Sequence, residues 1–220
     1  MTLPRASGLL ADELFLIAHD DVTGKPRLHP RVMGIALAGA LLGELVLYGR
    51  VDVRQVPELG TDGVILVERL PVGDALVDSV LDQVFSEGRP RTVRAWLAFL
   101  WPTATRGVGD RLAASGLLLP ARTGLLRREP RWTPADTPTA ARPVTRLRIL
   151  LSKQDPMTVA DAVLGGFAVE CGLGQQILWQ APPRAREYLD YLLGHLPEGL
   201  RILLNQTEQA VGDAVMNRPI

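Results

Sequence analysis

One stretch of the chain is apolar on every side of a helix, and hydrophobic residues recur at helical spacing on both sides of it. Residues 32–48 contain one acidic residue, Glu44, and six of them are Gly or Ala. A helix without a polar face lies inside a larger protein or a membrane, and a membrane span needs about 20 strongly apolar residues. The sequence therefore predicts a buried central helix that begins at Pro30 and ends at Gly49, with small residues that let neighbouring helices approach closely.

Apolar residues with a period near that of the α-helix predict further helices around the central one. Asp74 is a suitable N-cap for one of them, and Gly116 is a suitable stop for another. We predict these helices at residues 9–18, 74–85, 92–100, 106–118, 144–151, 158–171, 184–193 and 200–216.

Two other segments have the pattern of β-hairpins. Residues 51–53 alternate between apolar and polar side chains, and residues 64–67 form a short β-like run beyond a turn-rich connection. In residues 117–128, two leucine-rich arms flank the turn-forming residues 120–124, which predicts a protruding hairpin with an exposed tip. Residues 133–143 hold three prolines and are expected to form a connecting loop.

The length of 220 residues suits one large domain or two small ones. Hydrophobic residues make up 47% of the chain, which is ample for a sizeable core. Together with the periodicity, this predicts a mainly α fold around a central buried hydrophobic helix, with one or two small β-hairpins.

Charge and cysteine content limit the partners and the compartment. The chain has 24 Lys and Arg against 24 Asp and Glu, so its average surface does not attract nucleic acid. Its one cysteine, Cys171, excludes an internal disulfide and fits a reducing compartment. The N-terminal residues lack the long apolar run of a signal peptide, so we expect a cytoplasmic location.

The sequence contains no pattern that indicates catalysis. It has no phosphate-binding glycine loop, no nucleophile elbow and no zinc-ligand spacing. The triplet 19–21, His-Asp-Asp, is interpreted as a solvated helix end, and Cys171 as a small core residue. We therefore predict a protein that is not an enzyme and has no catalytic residues, metal or cofactor.

Several short motifs follow one another in an order that resembles the Golgi phosphoprotein 3 family, with a composition that suggests its bacterial branch. They are D-x-x-G at residues 21–24, E-L-x-L-x-G-R at 44–50, D-x-L-x-D at 74–78 and R-L-x-x-x-G-L-L at 111–118. The resemblance implies a single, mainly helical domain around a central hydrophobic helix, covering residues 1–220. It also implies peripheral membrane binding through phosphatidylinositol 4-phosphate, assisted by an apolar hairpin, and a protein tail as a second kind of partner.

The lipid pocket that this family implies is largely replaced in the present chain. The position of the pocket tryptophan is occupied by His29, and that of an arginine on the central helix by Ala38. The positions of an arginine pair are occupied by Pro102 and Thr105, with Arg106 adjacent. Other cations would therefore have to hold a phosphate group.

Cations cluster around the second hairpin. Residues 121–153 hold eight Lys or Arg and two acids, although the whole chain is neutral. Cations beside apolar side chains suit an anionic bilayer, at about 1 kcal/mol for each cation near the surface. We expect insertion by Leu118, Leu119, Leu125, Leu126 and Trp132. In the alternative, the leucines pack on the core or a partner subunit and the arginines form a solvated rim.

A second cationic group lies at the start of the central helix, where free N–H groups favour an anion. We expect the lipid headgroup to be bound by Arg27, His29, Arg31, Arg106, Arg127, Arg128 and Arg131. The alternative for the residues near the helix start is ordinary capping and surface charge.

The sequence thus predicts a peripheral protein on the cytoplasmic face of a membrane that binds an anionic phospholipid, of the phosphoinositide type, through a basic patch and an apolar hairpin. The alternative is a soluble scaffold or adaptor that forms a homo-oligomer through the hairpin and binds protein tails.

Overall fold

The computed structural model describes residues 8–120 and 131–216, which are mainly α-helical, as the sequence predicts. The helices are α1 (Leu10–Ile17), α2 (Pro30–Leu47), α3 (Ala75–Glu87), α4 (Val93–Ala114), α5 (Thr137–Lys153), α6 (Val159–Glu170), α7 (Gly174–Leu178), α8 (Pro183–Gly194) and α9 (Glu198–Met216). The strands are β1 (Val51–Val56), β2 (Thr61–Leu66), β3 (Arg91–Thr92), β4 (Leu118–Pro120) and β5 (Trp132–Pro134).

Helix α2 is the buried centre of the fold, and every residue in 32–45 is buried. Its small residues allow the close packing that the sequence predicts. A Cβ atom added at Gly39 would lie 2.7 Å from Oγ1 of Thr207 on α9, and one added at Gly34 would clash with the backbone of α4. Within the described residues, α2 is the one helix long and apolar enough to cross a membrane, and 78% of it is buried inside the fold.

The first predicted hairpin is confirmed. Strands β1 and β2 pair antiparallel, with Val51 opposite Leu66 and Val56 opposite Thr61. The two-residue strand β3 adds to the far edge of β2. Val53 and Val64, which face each other in this register, are buried, so one side of the hairpin contributes to the core.

Helix α4 corrects the prediction of two helices at residues 92–100 and 106–118. It runs without interruption from Val93 to Ala114 and contains Pro102. Proline has no N–H group to bond to the carbonyl of Ala98, one turn earlier. Both residues are exposed, so water can bond to that carbonyl and the helix continues.

The prediction of a loop at residues 133–143 is wrong. Its first two residues belong to β5, and α5 begins at Thr137. Asp136 caps the helix by accepting a hydrogen bond from the Thr139 N–H at 3.0 Å. Pro138 lies in the first turn, where a helix needs no N–H donor.

The base of the second hairpin pairs at a different place from the predicted arms. Leu118 lies opposite Pro134 and Pro120 opposite Trp132, so β5 is the returning strand in the described part of the chain. The predicted return arm, residues 125–128, and the turn residues 121–124 lie outside the described residues. The base packs against α4, since Leu118 is buried and Trp132 is half-buried beside Gly109.

Candidate functional site

A largely buried arginine joins four helices. The Arg111 guanidinium on α4 donates from Nε to Asp12 at 2.8 Å and from Nη1 to Asp74 at 2.9 Å. Glu44 on α2 lies 3.5 Å from the same guanidinium and accepts a hydrogen bond of 2.7 Å from the Ala11 N–H. These contacts connect α1, α2, α3 and α4.

This Arg111 cluster holds more negative than positive charge, because three carboxylates surround one guanidinium. Burial, which the Arg111 charge only partly offsets, raises the pKa of Glu44 to about 7 and that of Asp12 to about 6. The Arg111 side chain is only 11% exposed and is bonded to these carboxylates. It therefore serves the packing of the helices and does not present its charge to a ligand.

A second internal arginine is Arg146 on α5. It donates two hydrogen bonds to Glu13 on α1, at 2.7 and 2.6 Å, and one to Asp161 on α6 at 3.0 Å. Arg146 is one of the eight cations of residues 121–153. Its charge is balanced internally, so this segment offers less free positive charge than the sequence suggests.

The exposed N-terminus of α2 brings together two of the predicted headgroup ligands. His29 caps the helix, and its Nδ1 accepts a hydrogen bond of 3.3 Å from the Arg31 N–H. The Arg31 guanidinium lies 5.8 Å from the centre of the Trp101 ring on α4, a cation–π arrangement. None of the ion pairs found among residues 8–120 and 131–216 involves Arg31.

The other predicted ligands stand apart from this pair. Arg27 donates to the carbonyl of His19 at 3.1 Å and lies 3.4 Å from Asp20. Arg106 is exposed and lies 3.5 Å from Asp110, one turn along α4. Arg131 is exposed just before β5. Arg127 and Arg128 lie outside the described residues.

The hairpin side chains divide between the core and the surface. Leu118 is 3% exposed, so the expectation that it inserts into a bilayer is not met in this structure. Trp132 packs edge-on against Phe15 at 5.9 Å and covers Gly109, which holds it on the protein. Leu119 is exposed and remains a candidate for insertion, whereas Leu125 and Leu126 are outside the described part.

Burial shifts the pKa values of His19 and Cys171 away from neutral pH. Burial lowers the pKa of His19 to about 4, and its Nδ1 donates a 2.7 Å hydrogen bond to the Phe15 carbonyl. Burial also raises the pKa of Cys171 to about 12, so the thiol stays protonated at neutral pH. The described residues contain no group of His, Cys, Asp and Glu side chains that could hold a metal ion.

The comparison with protein-family models settles the relationship that the motifs suggest. The model for Golgi phosphoprotein 3 (GPP34) matches residues 10–215, nearly the whole chain. The chain belongs to the Golgi phosphoprotein 3 family. A search of curated proteins finds no match. This family is not a known enzyme family.

Several motif residues of the Golgi phosphoprotein 3 family turn out to be structural. Glu44, Asp74 and Arg111 begin three of the motifs and meet in the Arg111 cluster. Asp78 accepts hydrogen bonds from the N–H groups of Val72 and Gly73, which fixes the entry to α3. These motifs therefore identify the family through its packing.

One signal for the Arg111 cluster is visible in the sequence. Glu44 is an acid in an otherwise apolar helix, and a buried carboxylate must find a partner. That partner is 67 positions away along the chain, and Glu13 and Arg146 are 133 positions apart. Spacing along the sequence could not reveal which charges meet over such separations.

Proposed function

We propose that this member of the Golgi phosphoprotein 3 family is a peripheral membrane protein that binds anionic, phosphoinositide-type headgroups on the cytoplasmic face of a membrane. Membership in a family that is commonly related to phosphoinositides supports the class of ligand. Phosphatidylinositol 4-phosphate is the first lipid to test, because the family resemblance implies it. No chemical reaction is required of the protein.

The exposed start of α2 is the observation that carries this proposal. Arg31 has no carboxylate partner among the described residues, and its guanidinium faces Trp101, whose ring is half-buried. The N-terminal N–H groups of a helix add partial positive charge at the same place. A phosphate there would contact a cation and a helix end, even though the family's pocket residues are replaced.

Other cations and the hairpin would strengthen this contact. Exposed ion pairs such as Arg27–Asp20 and Arg106–Asp110 contribute only about 0–1 kcal/mol, so a phosphate can compete for either arginine. Arg127, Arg128 and Arg131 stay in the proposal as cations of the hairpin region, and Leu119, Leu125 and Leu126 as its inserting side chains. A weak apolar anchor and a weak charge attraction together give stable membrane binding.

Flotation of the full chain with vesicles that contain phosphatidylinositol 4-phosphate tests the role of α2. We expect Arg31→Glu to weaken binding by about tenfold or more, because it reverses one charge near the bilayer. Arg54→Glu is the matched control, since Arg54 is an exposed arginine that follows the opposite end of α2. Equal loss of binding in both variants, or no loss in Arg31→Glu, would contradict the proposed site.

Measurements of particle size and of flotation on the same proteins distinguish the membrane proposal from the scaffold alternative. A scaffold that assembles through the hairpin would change size with protein concentration and would not float with vesicles. The membrane protein that we propose would float at every protein concentration.

A further inference from the structure

A polar groove on another part of the surface has no role in the proposal above, apart from sharing Arg27. It lies between α5, α7 and the turn that follows α1, and its volume is about 290 Å³. Its lining includes Arg148 of α5, Gln176 of α7, Trp179 just after α7 and His19 just after α1. This volume is near the lower limit for small-molecule sites, which begin at about 300 Å³.

Arg148 is held in the groove with its charge uncompensated. Its Nε donates a 2.6 Å hydrogen bond to the main-chain carbonyl of Gln176, which fixes the guanidinium without neutralising it. No ion pair within the described residues involves Arg148. Arg146, two positions earlier, is neutralised by two carboxylates, so the two arginines of α5 have different roles.

Trp179 and Gln176 complete the polar groove. Trp179 is 62% exposed, which is unusual for so large an apolar ring. The next residue, Gln180, has a φ of 55°, a left-handed conformation that costs about 1 kcal/mol or more for a residue other than glycine. Oε1 of Gln176 is buried and has no hydrogen-bond partner among the described residues. Such features cluster at binding sites.

We propose that the polar groove binds a small phosphorylated sugar or polyol. The phosphate lies on the terminal nitrogens of Arg148, with Arg27 as a second cation, because guanidinium groups match phosphate geometry. The ring lies against Trp179. The unprotonated Nε2 of His19 and the carboxylate of Asp21, both in the lining, accept hydrogen bonds from ring hydroxyls.

This ligand chemistry has two sources, a soluble phosphorylated metabolite and the headgroup of a membrane lipid. The inference stands without the membrane proposal, because the polar groove would bind the soluble compound in the absence of a bilayer. It also involves neither Arg31 nor Trp101, so a failure of one site leaves the other untouched.

Titration calorimetry on the full chain tests the groove with glucose 6-phosphate, inositol monophosphate, unphosphorylated inositol and inorganic phosphate. We expect saturable binding of at least one phosphorylated ring compound, and weaker binding of the other two probes. Arg148→Gln should weaken that binding by about tenfold or more, as expected for the loss of a charge-assisted contact. Arg142→Gln is the matched control, because Arg142 is an exposed arginine of the same helix outside the groove.

Thermal unfolding of each variant shows whether it is folded, and Trp179→Ala provides a second, surface substitution. Loss of binding in folded Arg148→Gln and in Trp179→Ala, with binding kept in Arg142→Gln, supports the groove. Absence of binding for both phosphorylated compounds overturns it, as does unchanged affinity in Arg148→Gln. Inorganic phosphate that binds as tightly as the ring compounds overturns the role of Trp179.

Vesicle binding by Arg148→Gln distinguishes the two sources of the ligand. If Arg148→Gln loses binding both to the soluble compound and to vesicles with phosphatidylinositol phosphate, the ligand of the groove is a lipid headgroup. Loss of the soluble compound alone, with vesicle binding kept, assigns it to a soluble metabolite. Both results support the groove and differ from the result expected for Arg31→Glu.

Discussion

At the scale of single residues, the main finding is that the polar interior contains more acid than base. The Arg111 cluster places Asp12, Glu44 and Asp74 around one guanidinium. Removing charges from water is costly, and one cation cannot fully compensate the buried Glu44 and the two partly buried carboxylates of Asp12 and Asp74. The cluster relieves this by binding protons more tightly than free carboxyl groups do, which links the stability of the fold to pH.

We expect the free energy of unfolding to decrease as the pH rises from 4.5 to about 7, and Glu44→Gln to flatten part of this decrease. The pKa of Glu44 is raised from 4.5 to about 7 by folding, so the unfolded chain releases a proton that the folded protein still holds. Stability falls with pH wherever the unfolded state binds fewer protons. Glutamine keeps an acceptor for the Ala11 N–H and has no proton to release.

Urea unfolding at a series of pH values measures this effect. Burial also raises the pKa of Asp12, to about 6. The free energy of unfolding of Glu44→Gln should therefore still decrease with pH, but less steeply than that of the wild type. Asp110→Asn, an exposed substitution on α4, is the control and should leave the slope unchanged. Burial of His19 acts in the opposite direction in both proteins, so the test is the difference between wild type and Glu44→Gln. Equal slopes in the two proteins would show that the cluster is not short of positive charge.

At the scale of elements, close packing between a helix and a strand holds the base of the second hairpin in place. A Cβ atom added at Gly109 on α4 would lie 2.6 Å from the Trp132 ring on β5. Trp132 also contacts Phe15 of α1, so the indole has little room to move away. The absence of a side chain at residue 109 therefore lets β5 and the base of the hairpin lie flat on α4.

Gly109→Ala should destabilise the protein by about 1–3 kcal/mol, the usual cost of adding atoms to a filled site. Gly212→Ala is the matched control in α9, where no atom lies within 4 Å of the added Cβ. That change should stabilise the protein by up to about 1 kcal/mol, the helix propensity of Ala over Gly. Urea unfolding compares the two variants, and two changes of the same sign would contradict the packing.

The elements that could be predicted are those that local signals determine. The apolar helix α2, the β1–β2 hairpin and the Asp74 cap follow from residues that are close in sequence. Two predictions based on prolines are wrong: the break of a helix at Pro102 and the loop at residues 133–143. The cost of a proline depends on exposure and on position within the helix, and neither is visible before the fold is known.

At the scale of the whole molecule, both internal arginines bond to α1. Its neighbouring acids, Asp12 and Glu13, bond to Arg111 and Arg146 respectively, so one short helix connects the α2–α4 side with α5 and α6. The sequence could not predict these pairs, because their members are 99 and 133 positions apart. The same pairing determines which cations stay free for a ligand, so the candidate site was predictable only in part. His29 and Arg31 lie together at the start of α2, whereas Arg146 bonds to carboxylates in the interior.

The most direct measurement of the proposed function is flotation of the full protein with vesicles that contain phosphatidylinositol 4-phosphate, at low and at high salt. Contacts between exposed cations and phosphates are screened as the ionic strength rises. We expect binding at low salt that is largely lost at high salt, and weaker binding to vesicles without an anionic lipid. Absence of binding at low salt, or equal binding to neutral and anionic vesicles, would contradict the account.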